Sequence, residues 1–301
     1  MSKNTNLHKA KSAKNDEFYT QYEDIENELQ HYIHHFEGKV IYCNCDAEWS
    51  NFWKYFKDNF NKFKLKKLIS THYEKDKTSY KLEYDGVEEV KTSLTGDGDF
   101  RSDECITILK EVDIVVTIPP FSLFREYIAQ LMEYKKKFLI IGNMNAITYK
   151  EIFSLIKNNK IWMGMTMNGV GEHWFEVPDN YNHGKIKTNG KIKLATIGNA
   201  CWFSNLDHKK RHEKLDLYME YKGNESKYLK YDNYDAINVN KVVDIPKDYN
   251  GVMGVPITFL GKYNPEQFEI IKFRKGNDEK DLCINGKCPY FRIIIKHKLD
   301  T

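Results

Sequence analysis

No apolar run in this chain approaches the roughly 18–20 residues of a membrane-spanning helix. The longest, such as 138–141 (F-L-I-I), are strand-length. No signal-peptide pattern opens the sequence, so a cytoplasmic protein is expected. Excess charge is also missing. Against 46 basic residues stand 43 acidic ones, a formal +3, so any attraction to a polyanion must come from local clusters. The six cysteines, Cys43, Cys45, Cys105, Cys201, Cys283 and Cys288, match no zinc spacing and read as thiols in a reducing compartment. No internal repeat is present. No Gly-x-Gly piece opens a helix after a strand as a phosphate loop does, and Gly171-Glu172-His173-Trp174 lacks the second histidine of a metalloprotease. His31, His34 and His35 read as a partly exposed helix face, no Ser-His-Asp arrangement is inferable, and no metal is expected.

Core-forming residues, by contrast, are plentiful: 41% of the chain is hydrophobic, enough for a substantial interior. The first two-thirds alternates strand-like and helix-like segments. Residues 39–43 (K-V-I-Y-C), Lys67–Thr71 and 113–117 (D-I-V-V-T) read as short strands, the last β-branched and suited to burial on both faces. Residues 50–60 carry Phe52, Tyr55, Phe56 and Phe60 at helical spacing. Residues 123–136 do the same with Phe124, Tyr127, Ile128 and Leu131, and 149–158 form another helix. Residues 138–141 are the next strand. Such alternation predicts a parallel α/β sheet with helices on both faces. Past about residue 160 glycines, aromatics and polar residues mix, which predicts hairpins and loops, with 193–203 one long strand bent at Gly198.

Ligands of open α/β sheets bind beyond the carboxyl ends of the strands. Three such exits carry suggestive residues: Cys43-Asn44-Cys45-Asp46, Gly96-Asp97-Gly98-Asp99-Phe100 and Thr117-Ile118-Pro119-Pro120-Phe121. Carboxylates there accept hydrogen bonds from ribose hydroxyls or an amino group, and apolar neighbours hold a ring. Two consecutive prolines make a rigid exit and leave carbonyls without local N–H partners, and the following aromatic offers a stacking face. That combination suits a planar base with an exocyclic amine, or equally a proline-rich turn around a buried Phe.

Several of these segments, with others, resemble the EcoRI-type family of adenine-specific DNA methyltransferases over nearly the whole chain. The matching stretches are 16–20 (D-E-F-Y-T), 43–46 with Ser50-Asn51-Phe52, 96–102 (G-D-G-D-F-R-S), 113–125 (D-I-V-V-T-I-P-P-F-S-L-F-R), 138–147, 202–207 and 231–260. The resemblance implies a Rossmann-like sheet that uses S-adenosylmethionine, with a hairpin-rich C-terminal region that recognises double-stranded DNA, in partnership with a restriction endonuclease. It implies that Phe18, Tyr19 and Thr20 close over the cofactor's methionine part and that Cys43–Asp46 form the cofactor loop, with Cys43, Asn44 and Asp46 as its contacts. Asp99 and Phe100 would contact the cofactor adenine, with Asp97 an alternative carboxylate. Residues 118–121 stand where the family has Asn-Pro-Pro-Phe, the catalytic motif, so Ile118, Pro119, Pro120 and Phe121 occupy the catalytic positions.

In that family pattern the Asn carbonyl and the first proline carbonyl accept the two hydrogens of the adenine N6 amine. This favours a pyramidal, more nucleophilic nitrogen and stabilises the charge that grows on it. Phe121 would stack on the flipped base. Ile118 offers no acceptor, so weak or absent activity is expected, with a catalytically silent DNA-binding protein as the alternative. Methylation of a protein amide or of RNA adenine is a third reading, disfavoured by the match at 231–260. Lys9, Lys11 and Lys14 form a basic arm or a solvated terminus over residues 1–15, and Lys209, Lys210 and Arg211 a second cluster that by default reads as a solvated helix start; both are candidate phosphate contacts. The expected organisation is arm 1–15, methyltransferase core 16–160, and remaining strands with target recognition at 161–301.

Overall fold

The computed structural model describes residues 18–168 and 173–298, and Lys9, Lys11 and Lys14 therefore lie outside the described residues. Two compact units result. The first comprises the described residues through Ile152 together with Met163–Asp207, and the second Phe153–Trp162 and the described residues from His208 onward. Among the described residues, no helix is long and apolar enough to cross a membrane.

The first unit runs β1 (Tyr19–Thr20), α1 (Tyr22–Leu29), α2 (Ile33–Phe36), β2 (Val40–Asn44), α3 (Asn51–Asp58) and β3 (Lys67–Thr71). β4 (Tyr80–Tyr84), β5 (Glu89–Ser93), α4 (Asp103–Glu111), β6 (Ile114–Thr117), α5 (Phe124–Glu133) and β7 (Lys137–Asn143) follow. Within α6 (Lys150–Lys157) the chain passes to the second unit. It returns along β8 (Trp162–Asn168) to β9 (Trp174–Glu176), β10 (Ile186–Asn189), β11 (Ile192–Thr196) and β12 (Ala200–Ser204).

An eight-stranded sheet in the order β5-β4-β3-β2-β6-β7-β12-β8 is the frame of this unit. Its centre, β3-β2-β6-β7, is parallel. Ile114, Val115, Val116 and Thr117 are all buried, and so are Ile41 to Asn44. Since successive side chains alternate faces, both faces of these strands are covered. The flanks differ from the all-parallel expectation: β4 and β5 form an antiparallel hairpin beside β3, and β12 runs antiparallel to β7. The segment expected as one long strand across Gly198 is in fact two. Asn199, at φ 62°, turns the chain, so that β11 pairs with β9 and β10 in a small sheet while β12 enters the large one.

The helices follow from their sequences. Ser50 caps α3 by accepting the Phe52 N–H at 3.1 Å, and Phe52, Trp53, Tyr55 and Phe56 are buried. Ser102 caps α4, whose first turn holds Asp103 and Glu104, acids that suit the positive end of a helix. At the other end of α4 the Lys136 ammonium donates to the carbonyls of Lys110 (2.8 Å) and Val112 (2.7 Å).

One buried carboxylate ties α1 to β8. Glu28, fully buried, accepts from the backbone N–H of Met165 and Thr166 (2.7 Å each), the Thr166 hydroxyl (2.6 Å) and the Tyr32 hydroxyl (2.9 Å). Gly164 permits the approach, because a Cβ there would lie 2.4 Å from the Glu28 carboxylate. Glu28→Ala would remove the acceptor shared by the Met165 and Thr166 N–H groups and the Thr166 hydroxyl, so urea unfolding should show a loss of about 2–4 kcal/mol, and Glu28→Gln a smaller one.

The second unit holds a sheet in the order β13 (Ile237–Asn238), β14 (Met253–Pro256), β16 (Arg292–His297), β15 (Phe268–Phe273). Its connections are held largely by side chains that bond to backbone. Asp232 accepts from Asn285 and Gly286 N–H (3.0 and 2.9 Å), and Gln267 both donates to and accepts from Leu215 (2.8 and 2.7 Å). Cys283 and Cys288 form a disulfide, which corrects the expectation of six thiols; Cys43, Cys45, Cys105 and Cys201 are free.

Candidate functional site

From β2 the sheet grows through β3 to one side and through β6 to the other, so the loops leaving β2 and β6 diverge and open a crevice. A cleft of about 340 Å³ lies there, within the range of small-ligand pockets. Each exit contributes to its lining. Cys45 and Asp46 come from β2, His72, Tyr73 and Lys75 from β3, and Ile118, Pro120, Ser122 and Leu123 from β6. The loop before α4 adds Asp99, Phe100 and Arg101, and the entry to β1 adds Phe18 and Tyr19.

Asp46 spans the crevice floor. It is 4% exposed; one carboxylate oxygen accepts from Ser50 Oγ and the other from Thr117 Oγ1, each at 2.6 Å, and its carbonyl accepts from Ser70 Oγ. The exits of β2 and β6 are thus joined through one side chain. Burial pushes the carboxyl up to about 7, against the two hydroxyl bonds that favour the ionised form. A raised carboxyl pKa makes the folded protein hold a proton that the unfolded chain has lost. Between about pH 4 and pH 7 the native state therefore loses stability as pH rises, and below that window the effect vanishes. Urea titrations should show the parent losing ground to Asp46→Asn, by a few kcal/mol at most, as pH rises through this window; parallel curves would contradict it.

Asp99 differs from Asp46. Arg101 grips it through Nε (2.9 Å) and a terminal nitrogen (2.6 Å), which holds the carboxyl below its ordinary range. Asp97 lies outside the lining. Its carboxylate accepts the Asp99 N–H at 3.1 Å and so shapes the turn. Phe100 is buried edge-on against Tyr127 at 4.9 Å, with its carbonyl held by Gln130 Nε2. His72 stands half-buried between Trp49 and Tyr80, each 5.3 Å away, and burial lowers its pKa.

The turn at 118–121 divides. Ile118 and Pro120 line the cleft, whereas Pro119 and Phe121 do not. The Pro120 carbonyl accepts the Leu123 N–H at 2.9 Å, but among the described residues no donor reaches the Pro119 carbonyl. Phe121 is 7% exposed because Phe18 packs on it at 5.3 Å, so the stacking face expected of it is covered.

Tyr19 and Thr20 form β1, paired with Glu176 and Phe175, and the Thr20 carbonyl accepts from Asn51 Nδ2 at 2.8 Å. Thr20, Cys43 and Asn44 are buried outside the lining, Cys43 in the core cluster and Asn44 bonded to Tyr42 and Thr71. Lys209, Lys210 and Arg211 belong to a single 3₁₀ turn in the second unit. There the Arg211 guanidinium lies 3.9 Å over the Trp162 ring and 3.4 Å from Asn159 Oδ1. Among the described residues no cluster of three metal-ligating side chains occurs.

His72, Tyr73, Lys75, Arg101, Ser122 and Leu123 escaped the reading of site residues from sequence. For His72 and Tyr73 a signal existed: they leave the carboxyl end of a recognised strand, where the same rule points.

Comparison with known proteins gives a consistent result. The family model described as adenine-specific methyltransferase EcoRI matches residues 6–298. The type II methyltransferase M.EcoRI of Escherichia coli is 57% identical over 97% of this chain and 96% of its own length. M.MpnI of Mycoplasma pneumoniae is 43% identical over 97% and 98%, and M.MgeORF184P of Mycoplasma genitalium 42% over 96% and 98%. No solved structure matches the chain.

Proposed function

Because the chain belongs to the adenine-specific methyltransferase EcoRI family, we propose that it is built to move a methyl group from S-adenosylmethionine to N6 of adenine in double-stranded DNA, and that Ile118 slows the transfer. The observation that carries the reading is the cleft at the β2/β6 switch, where cofactor-type and base-type residues meet.

The residues present fit the methyl donor. Phe18, Tyr19 and Phe100 offer apolar rings beside a heterocycle, Asp99 offers a fixed acceptor for hydroxyls, and Asp46 offers a buried carboxyl toward a cation. When bound, the donor supplies an electrophilic methyl on a sulfonium. The protein's part is positioning. By the family pattern the Pro119 carbonyl, which lies outside the cleft lining and has no donor among the described residues, is the acceptor for one N6 hydrogen, and Pro120 restricts the backbone beside it. Ile118 offers the second hydrogen nothing. Phe121 can stack on a flipped base only after Phe18 withdraws from it.

Target recognition is assigned to the second unit, with Lys209 and Lys210 as phosphate contacts and Arg211 bracing the turn on Trp162. Lys9, Lys11 and Lys14 are assigned as further phosphate contacts, a restriction endonuclease of the same specificity is the expected partner, and the cytoplasm is the site of action. The second reading, a protein that binds DNA without modifying it, draws on the apolar Ile118 in the lining. Equilibrium dialysis tests the cofactor assignment: Phe100→Ala should weaken S-adenosylmethionine binding about tenfold or more, as removal of an apolar ring contact requires. Unchanged affinity would reject Phe100 as a cofactor contact.

A further inference from the structure

We propose that Asp46 distinguishes the cationic methyl donor from the neutral S-adenosylhomocysteine left after transfer, giving up a proton when the donor binds but not when the product binds. This rests on the reading of the cleft as a methyl-donor site.

The geometry is specific. Asp46 lines the cleft, is almost wholly buried, and among the described residues no ammonium or guanidinium bridges to it. Its carboxylate oxygens meet only the neutral hydroxyls of Ser50 and Thr117. Three of the titratable groups that face it are also neutral. Cys43 and Cys45 on its own strand and loop, and Tyr127 on α5, are held protonated by burial. Across the cleft Arg101 is spent on Asp99, His72 is biased toward the neutral form, Tyr73 is pushed up by burial, and Lys75 is exposed. A buried carboxyl in such a shell ionises reluctantly.

The two ligands differ in one respect that this carboxyl can sense. The donor carries a sulfonium and the product a thioether. A cation in the cleft favours the carboxylate, and by linkage the carboxylate favours the cation. Donor binding then drives Asp46-COOH to Asp46-COO⁻, with the proton passing to buffer. The product lacks the sulfonium charge and leaves the proton in place. The preference for donor over product therefore rises with pH, by tenfold for each pKa unit that the cation displaces.

Calorimetric titration of both ligands in buffers of different ionisation enthalpy counts the protons directly, and without DNA no turnover intervenes. At about pH 6.5 the donor should release roughly half a proton or more beyond the product. The donor-to-product affinity ratio should rise about tenfold from about pH 5.5 to 8.5. Asp46→Asn should flatten that rise, whereas the ligands' own amino groups titrate alike in parent and variant. Thr117→Val, which deletes one hydroxyl bond to the carboxylate, should move the midpoint upward. Equal proton counts and parallel pH profiles for the two ligands in the parent chain would overturn the proposal. Failure of both ligands to bind at every pH would instead remove the methyl-donor reading on which it stands.

Discussion

Replacing Ile118 with Asn is expected to raise single-turnover methyl transfer to adenine by about a hundred- to ten-thousand-fold. Two contributions add. A hydrogen bond to a group that gains charge is worth roughly 1.5–3 kcal/mol, and leaving the second amine hydrogen unpaired in a dry pocket costs about 1–3 kcal/mol more. At about 1.4 kcal/mol per decade, their sum sets the range. Relief of crowding acts in the same direction, since Ile is branched at Cβ and lines the cleft. The gain belongs in the transfer step. Affinities for S-adenosylmethionine and DNA should change little, because the remainder of the lining is untouched. A rise confined to affinity would place Ile118 in binding instead.

Gly98→Ala should have the largest effect on the frame of the site. Gly98 sits at φ +81°, a conformation that costs any L side chain energy, and a Cβ there would lie 1.9 Å from the His72 carbonyl oxygen. That oxygen is backbone and cannot swing away. The loop carrying Asp99, Phe100 and Arg101 must then separate from the β3 exit carrying His72 and Tyr73, which opens the cleft. A stability loss of about 3 kcal/mol or more in urea is expected, with cofactor affinity down at least about tenfold. Gly96→Ala is the control: nothing lies within 4 Å of its Cβ, so stability should hold within about 1 kcal/mol.

How much of this could be read from residues alone depends on what holds each element. β2, β3, β6 and β7 were legible because each carries a short apolar stretch at its buried centre, and α5 because its buried face recurs at helical spacing. The β4–β5 hairpin was not. All five residues of β5 are exposed, so main-chain pairing with β4 holds it and no alternation marks it. The break between β11 and β12 depends on Asn199 taking a left-handed conformation, which composition alone does not dictate. In the second unit, strands as short as two residues are stitched by Asp232 and Gln267 to distant backbone, contacts without a sequence period.

At the site itself the acidic and aromatic exits were legible, but their differentiation was not. Asp46 and Asp99 look alike in sequence. One is buried among hydroxyls and the other clasped by arginine, and this sets their carboxyl groups on opposite sides of the ordinary value. The covering of Phe121 by Phe18 likewise joins residues about a hundred positions apart, a distance no local pattern spans.

The most direct test digests duplex DNA to nucleosides after incubation with S-adenosylmethionine and either the parent chain or Ile118→Asn, and identifies the methylated product by mass. N6-methyldeoxyadenosine, abundant with Ile118→Asn and scarce with the parent, is the predicted result. Equal yields from the two proteins, or a methyl group on cytosine, would contradict the account.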